Sequence, residues 1–212
     1  MRKSLTCLLF LLTASLAAAA EPVVLFDGSH LDAWTMDKAG AWVAKDGELQ
    51  PAENGAGGYL WTKEKFGDFT LTLEFKMSKD CNSGVFFRTD PKNPVQGGYE
   101  IQVMDTAAKP DLGKHDCGAL YDALAPSVNA AKPAGEWNAM TIVCKGPKVT
   151  VVLNGKTVVD ADLDQWTTAN RNPDGSPNKF KTALKDLPRV NHIGLQYHGH
   201  PVWFRAIRLV PN

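Results

Sequence analysis

The stretch Phe69-Thr70-Leu71-Thr72-Leu73-Glu74-Phe75-Lys76-Met77 alternates apolar and polar residues through every position. Successive side chains of a β-strand point to opposite faces, so this pattern specifies a strand with one buried face. The same period recurs along the chain. Trp42 to Gln50 carries Asp46-Gly47 between two short extended runs, a hairpin signal. Residues 149–153 and 156–159 flank Asn154-Gly155, a dipeptide that tolerates the positive φ angles of a type I′ turn. Further strands are expected at 84–88, 99–104, 137–145, 191–197 and 202–210. No segment of ten or more residues keeps a 3.6-residue period, and 18 Gly with 13 Pro supply many turns. The expectation is an all-β chain: two antiparallel sheets stacked as a sandwich or jelly roll, with a concave outer face as a groove for a ligand.

The first twenty residues read differently. Arg2 and Lys3 precede an apolar run, Leu5 to Leu16, and then Ala17 to Ala20. These are the three parts of a secretory signal peptide, so residues 1–20 are expected to be removed and residues 21–212 to form one exported domain, periplasmic or secreted. Lys plus Arg and Asp plus Glu both number 23. With no basic field, neither nucleic acid nor, after cleavage, a membrane is an expected partner. Export permits a disulfide. Cys144 lies in an apolar run, whereas Cys81 and Cys117 lie in polar, Gly-adjacent segments. These two form the candidate pair, and three free thiols is the alternative. Asp160, Asp162 and Asp164 lack the Gly and distal Glu of a calcium loop and read as a solvated strand end.

Four strands carry unusual polar faces. In Tyr99-Glu100-Ile101-Gln102-Val103-Met104-Asp105, Glu100 and Gln102 share a face, with same-face neighbours about 7 Å apart. Alternation places Arg88 on the face of Phe86, Gln196 beside His198, and Arg205 beside Trp203. Carboxylate, amides, imidazole, guanidinium groups and aromatic rings together are what a sugar site requires. The plainer alternatives are a cross-strand ion pair for Glu100 and a surface turn for His198. Retaining glycosidases need two carboxylates on one face at fixed separation. Here that face reads Glu100, Gln102, Met104, so two-carboxylate hydrolysis is not supported. Residues 167–188, rich in Asn, Pro, Gly and Lys, are too polar for a core element and suit a loop that covers a site.

Leu25-Phe26-Asp27-Gly28 with Leu31-Asp32-Ala33-Trp34, then Asn82-Ser83-Gly84-Val85-Phe86-Phe87-Arg88, Tyr99-Glu100-Ile101-Gln102-Val103-Met104-Asp105, Gly118-Ala119-Leu120-Tyr121, Ile193-Gly194-Leu195-Gln196-Tyr197-His198-Gly199 and Val202-Trp203-Phe204-Arg205 resemble, in this order, a bacterial exported family, the 3-keto-disaccharide hydrolases. Its members are also described as 3-keto-glucoside 1,2-lyases and 3-keto-2-hydroxy-glucal hydratases. The resemblance implies a concanavalin A-like jelly roll and a small carbohydrate substrate already oxidised at C3, supplied by a glucoside 3-dehydrogenase. A C3 ketone acidifies the C2 proton, so one base, one acid and a positive group at the enolate oxygen suffice. On this basis Arg88, Glu100, Asp105, Tyr121 and His198 are catalytic candidates. Asn82, Gln102, Gln196, Trp203 and Arg205 are substrate-binding candidates. No cofactor is demanded, and a divalent metal is an alternative to arginine at the enolate. A non-catalytic carbohydrate-binding module on the same fold is the competing reading.

Overall fold

A computed structural model describes residues 21–53 and 57–212. The expected signal segment, residues 1–20, lies outside the described residues. The strands in chain order are β1 (Val23–Phe26), β2 (Trp34–Met36), β3 (Trp42–Lys45), β4 (Glu48–Pro51), β5 (Gly58–Thr62), β6 (Phe69–Met77), β7 (Asn82–Thr89), β8 (Tyr99–Met104), β9 (Asn138–Lys145), β10 (Lys148–Leu153), β11 (Lys156–Asp162), β12 (His192–Tyr197) and β13 (Val202–Pro211). One sheet runs β11-β10-β9-β6-β13-β4-β3, with β1 also on β13; the other runs β2-β5-β12-β7-β8. Every ladder is antiparallel. This is the expected jelly-roll sandwich. No helix among the described residues is long and apolar enough to cross a membrane.

Both expected hairpin turns form. Asp46-Gly47 and Asn154-Gly155 have φ of 56°, 78°, 50° and 79°, the double positive pair of a type I′ turn. The three strands missed from the sequence, β1, β2 and β5, hold five residues or fewer, too short for alternation to register.

The sandwich interior follows the period of two. Phe69, Leu71, Leu73, Phe75 and Met77 of β6 are buried. They meet Val85, Phe87, Tyr99, Ile101, Val103, Ile193 and Leu195 of the smaller sheet, also buried, and Phe87 stacks on Tyr99 at 5.2 Å. With these residues turned inward, Glu100, Gln102 and Gln196 must face out of the smaller sheet. The register that defines the candidate site is therefore fixed by the core.

Parity fails at Arg88. On the β7–β12 ladder Phe86 lies opposite Gly194 and Thr89 opposite His192, so two residues oppose one and the strand bulges. Arg88 takes φ 49° and turns inward. Its fully buried guanidinium donates to the Gly67 carbonyl (2.9 Å), the Gly146 carbonyl (2.8 Å) and the Asp68 carboxylate (2.9 Å). It fastens the smaller sheet to the entrance of β6 and the β9–β10 turn, and is not on the face of Phe86. Trp203 and Arg205 are corrected as well. Phe204 and Val202 are their buried neighbours on β13, so both lie on the outer face of the larger sheet. There Trp203 donates to Gln50 (2.7 Å), while Arg205 pairs with Glu74 and covers the Trp137 ring at 3.9 Å. The expected Cys81–Cys117 bridge is not formed. Cys81, Cys117 and Cys144 are free, buried thiols, each pushed up to about 12 by burial. They fill space as small apolar groups.

The two arginines should separate in urea unfolding. Arg88→Met leaves the Gly67 and Gly146 carbonyls without their donor and should cost on the order of 3 kcal/mol. Arg205→Met, at a half-exposed pair, should cost less than about 1 kcal/mol.

Candidate active site

The outward face of the smaller sheet is a grid set by the ladders. Trp61, Gly194, Phe86 and Glu100 form one row across β5, β12, β7 and β8. Tyr59, Gln196, Gly84 and Gln102 form the next. Two of the eight positions are glycine, and each makes room for a neighbour. A Cβ on Gly84 would lie 2.8 Å from Glu100 Cδ, and one on Gly194 2.9 Å from Trp61 Cη2, closer than real atoms approach. The carboxylate of Glu100 therefore lies across Gly84, and the indole of Trp61 across Gly194. Tyr59 stacks on Trp61 at 5.2 Å, and Phe86 stands edge-on to both at 5.4 and 5.7 Å.

Loops make this face a cavity of about 230 Å³. On the β8 edge, Tyr121 N–H donates to the Glu100 carbonyl and brings Tyr121 to the rim. Val95 stands in the loop 90–98, and Lys179 reaches in from residues 167–188, the polar segment expected to cover a site. That segment is fixed at Lys179. The Lys179 N–H donates to Asp122, its carbonyl accepts from Gln96 Nε2 (2.9 Å), and Gln96 Oε1 accepts from the Lys181 N–H (2.9 Å). The Lys179 ammonium then sits 4.1 Å above the Tyr121 ring and 4.0 Å from Glu100.

Glu100 is 7% exposed, and burial pushes its carboxyl up to about 7, against a smaller downward pull from Lys179. The same burial lowers the Lys179 ammonium, which Glu100 and Asp122 oppose. Burial also raises the Tyr59 and Tyr121 phenols. Gln102 Nε2 donates to Asn82 Oδ1 (3.0 Å), and Gln196 Nε2 to the Tyr59 hydroxyl (3.3 Å). Gln102 Oε1 is buried and meets no donor among the described residues.

Asn82, Glu100, Gln102, Tyr121, Gln196 and His198 thus line one cavity. Asp105 does not join them: its carboxylate caps the Asp80 N–H at 3.0 Å and braces the turn before β7. Sequence reasoning missed Tyr59, on a strand too short to recognise, and Lys179, in a loop without period. The polar character of residues 167–188 was the available signal for Lys179. Among the described residues, Glu100 is the one carboxylate on the cavity wall. Among the described residues no three His, Cys, Asp or Glu side chains gather as a metal-ligand set.

Residues 21–210 match the 3-keto-alpha-glucoside-1,2-lyase-like domain. The chain belongs to this family. A 3-keto-disaccharide hydrolase of Bacteroides thetaiotaomicron is 32% identical, with 88% of this chain and 77% of that protein covered. A crystal structure of a candidate glycosyl hydrolase from Parabacteroides distasonis shares 33% identity and superposes with a TM-score of 0.83, over 91% of this chain and all of that one. A galectin-like protein from Bacillus subtilis is similar in fold alone, at 16% identity and TM-score 0.55, over 92% of this chain and 98% of that one. The 3-keto-alpha-glucoside-1,2-lyase-like family places the chain among glycoside-acting enzymes.

Filling the glycine gap tests the floor of the site. Gly84→Ala should displace the Glu100 carboxylate and lower kcat/KM at least tenfold, while circular dichroism shows the sandwich retained. Unchanged turnover would mean that the carboxylate has no role where it stands.

Proposed function

We propose that the protein cleaves the glycosidic bond of 3-keto-glycosides, 3-keto-disaccharides among them, by proton abstraction at C2. The carrying observation is Glu100: one buried carboxylate poised near neutral pH, beside one ammonium, with no second carboxylate on the cavity wall among the described residues. That set does not suit displacement at C1 by paired acids, but it suits a substrate whose C2–H is already acidic. Glu100 takes the C2 proton, and the electron pair enters the C2–C3 bond and charges the C3 oxygen. Lys179, held from both sides, is the cation for that oxygen. This is the role that sequence reasoning gave to an arginine. The charge then returns, the C1–O bond breaks, and the C1=C2 double bond forms. Tyr59, across the cavity on β5, is the proton donor for the departing oxygen, and Tyr121 backs Lys179 with its ring. Addition of water across C1=C2, with Glu100 passing a solvent-exchanged proton to C2, makes the net outcome hydrolysis; release before that step makes it a lyase. Gln102, Asn82 and Gln196, which line the cavity, orient the ring hydroxyls. His198, exposed at the rim, borders the entrance. The substrate must come from a reaction that oxidises a glucoside at C3, and the amino-terminal segment suits export to the periplasm or beyond.

Incubation with 3-keto-trehalose or a 3-keto-glucoside in D₂O, with and without EDTA, should release a sugar that has lost its original C2 proton by NMR: deuterated at C2 after water addition, unsaturated at C1=C2 without it. Cleavage with the original C2 proton retained would sink the mechanism.

The acid limb of kcat/KM should lie near pH 7, because the base works ionised and Glu100 is protonated below about 7. Lys179→Met removes the charge that holds that value down and should move the limb upward.

Activity and stability should change in opposite senses in Glu100→Gln. The unfolded chain releases this proton near 4.5 and the folded chain near 7, so ionisation costs the fold stability as pH rises through that window. The variant should lose 10²–10⁴ in kcat, yet at pH 8 unfold later by about 1–3 kcal/mol. Loss of both would identify Glu100 as a structural ion-pair member.

A further inference from the structure

A second cavity, about 350 Å³, lies on the same face beyond Trp61. Its lining includes Met36, Trp61 and Pro91, with Thr35, Thr62 and His192. The polar atoms here are largely engaged within the protein. His192 Nδ1 bonds the Thr62 carbonyl (2.7 Å), and Thr62 Oγ1 donates to the Glu64 carbonyl and accepts from the Ile193 N–H. The two charged residues on the lining, Asp37 and Lys63, have opposite signs and select no net charge. A pyranose displays a hydroxyl on most ring carbons and loses solvation where few partners meet it. An apolar ring does not.

The two cavities adjoin. The loop 90–98 gives Val95 to the first and Pro91 to the second. The floor between them is the aromatic trio Tyr59, Phe86 and Trp61, all in mutual ring contact. Trp61 lies two strands from β7, roughly 10 Å at the spacing of neighbouring strands. That is the reach of a short arylalkyl group from a sugar seated over Gly84 and Phe86. The loops carrying Lys179 and Tyr121 rise at the opposite, β8 edge.

From this geometry we infer that the second cavity is the leaving-group subsite, and that the preferred substrates are 3-keto-glycosides bearing an apolar, planar aglycone. The inference rests on the proposed reaction for its orientation: the oxidised ring under Lys179, the aglycone over Trp61 toward β2. Thr35 is exposed, so Thr35→Glu brings a charge into the shelf without disturbing the core.

The test compares 2-phenylethyl and ethyl 3-keto-glucosides of the same anomer, whose leaving alcohols differ little in acidity. The phenylethyl substrate should have a kcat/KM at least tenfold higher, through KM, as expected from burying most of a phenyl ring. In Thr35→Glu the ratio should fall below threefold. Equal constants in the parent protein, or a ratio that survives Thr35→Glu, overturns the inference while leaving the reaction intact. Should neither substrate react, the proposed function fails, and the shelf is read by saturation-transfer NMR with unoxidised 2-phenylethyl glucoside. Saturation of the phenyl protons that is lost in Thr35→Glu supports the subsite. Its absence, or saturation confined to the sugar protons, overturns it.

Discussion

The buried guanidinium of Arg88 joins the two layers at one end of the sandwich. Sheet-on-sheet contact is otherwise apolar, and apolar contact is non-directional. Three hydrogen bonds to Gly67, Asp68 and Gly146 have direction, so they fix where β7 lies against the entrance of β6 and the β9–β10 turn. The same residue forms the bulge that ends the β7–β12 ladder. From that bulge toward the start of β7, Phe86, Gly84 and Asn82 keep strict parity and face the cavity. A cation that looks like site chemistry is the clamp that holds the site's central strand in place.

Glu100 shows the opposite balance. Its carboxylate is buried where ionisation is unfavourable, with Lys179 as a partly compensating charge at 4.0 Å. A pair chosen for stability would sit closer with its carboxylate more exposed, as Lys76 and Glu48 do at 3.0 Å on the other sheet. The strain on Glu100 is tolerable because the surrounding face is rigid. Tyr59, Trp61 and Phe86 lock against one another, and Gln96 and Asp122 hold the backbone at Lys179. Preorganised charge of this kind does not have to rearrange as the reaction proceeds.

Alternation made the architecture legible, and it placed Glu100, Gln102 and Gln196 on one face, because core residues on either side of each fix the parity. It could not report which sheet a strand joins. Trp203 and Arg205 obey the period but stand on the outer face of the other sheet, some 10 Å of sandwich away. Nor could it foresee a bulge, which inverted Arg88. Asp105 follows the last residue of β8, where a turn rather than the pleat directs the side chain. Lys179 needed tertiary information: its position depends on Gln96 and Asp122, each more than fifty residues away in sequence.

The fixed wall around Lys179 bears on the order in which products depart. Both anchors grip backbone rather than side chain, so they hold the chain itself at Lys179 and wall off the β8 end of the groove. On the proposed chemistry, the aglycone lies at the β2 end and leaves first, while the unsaturated sugar stays enclosed under Lys179. The residence time of that sugar against the rate of water entry along the vacated groove would then decide between lyase and hydrolase. The partition becomes a matter of traffic through the groove and needs no additional catalytic group.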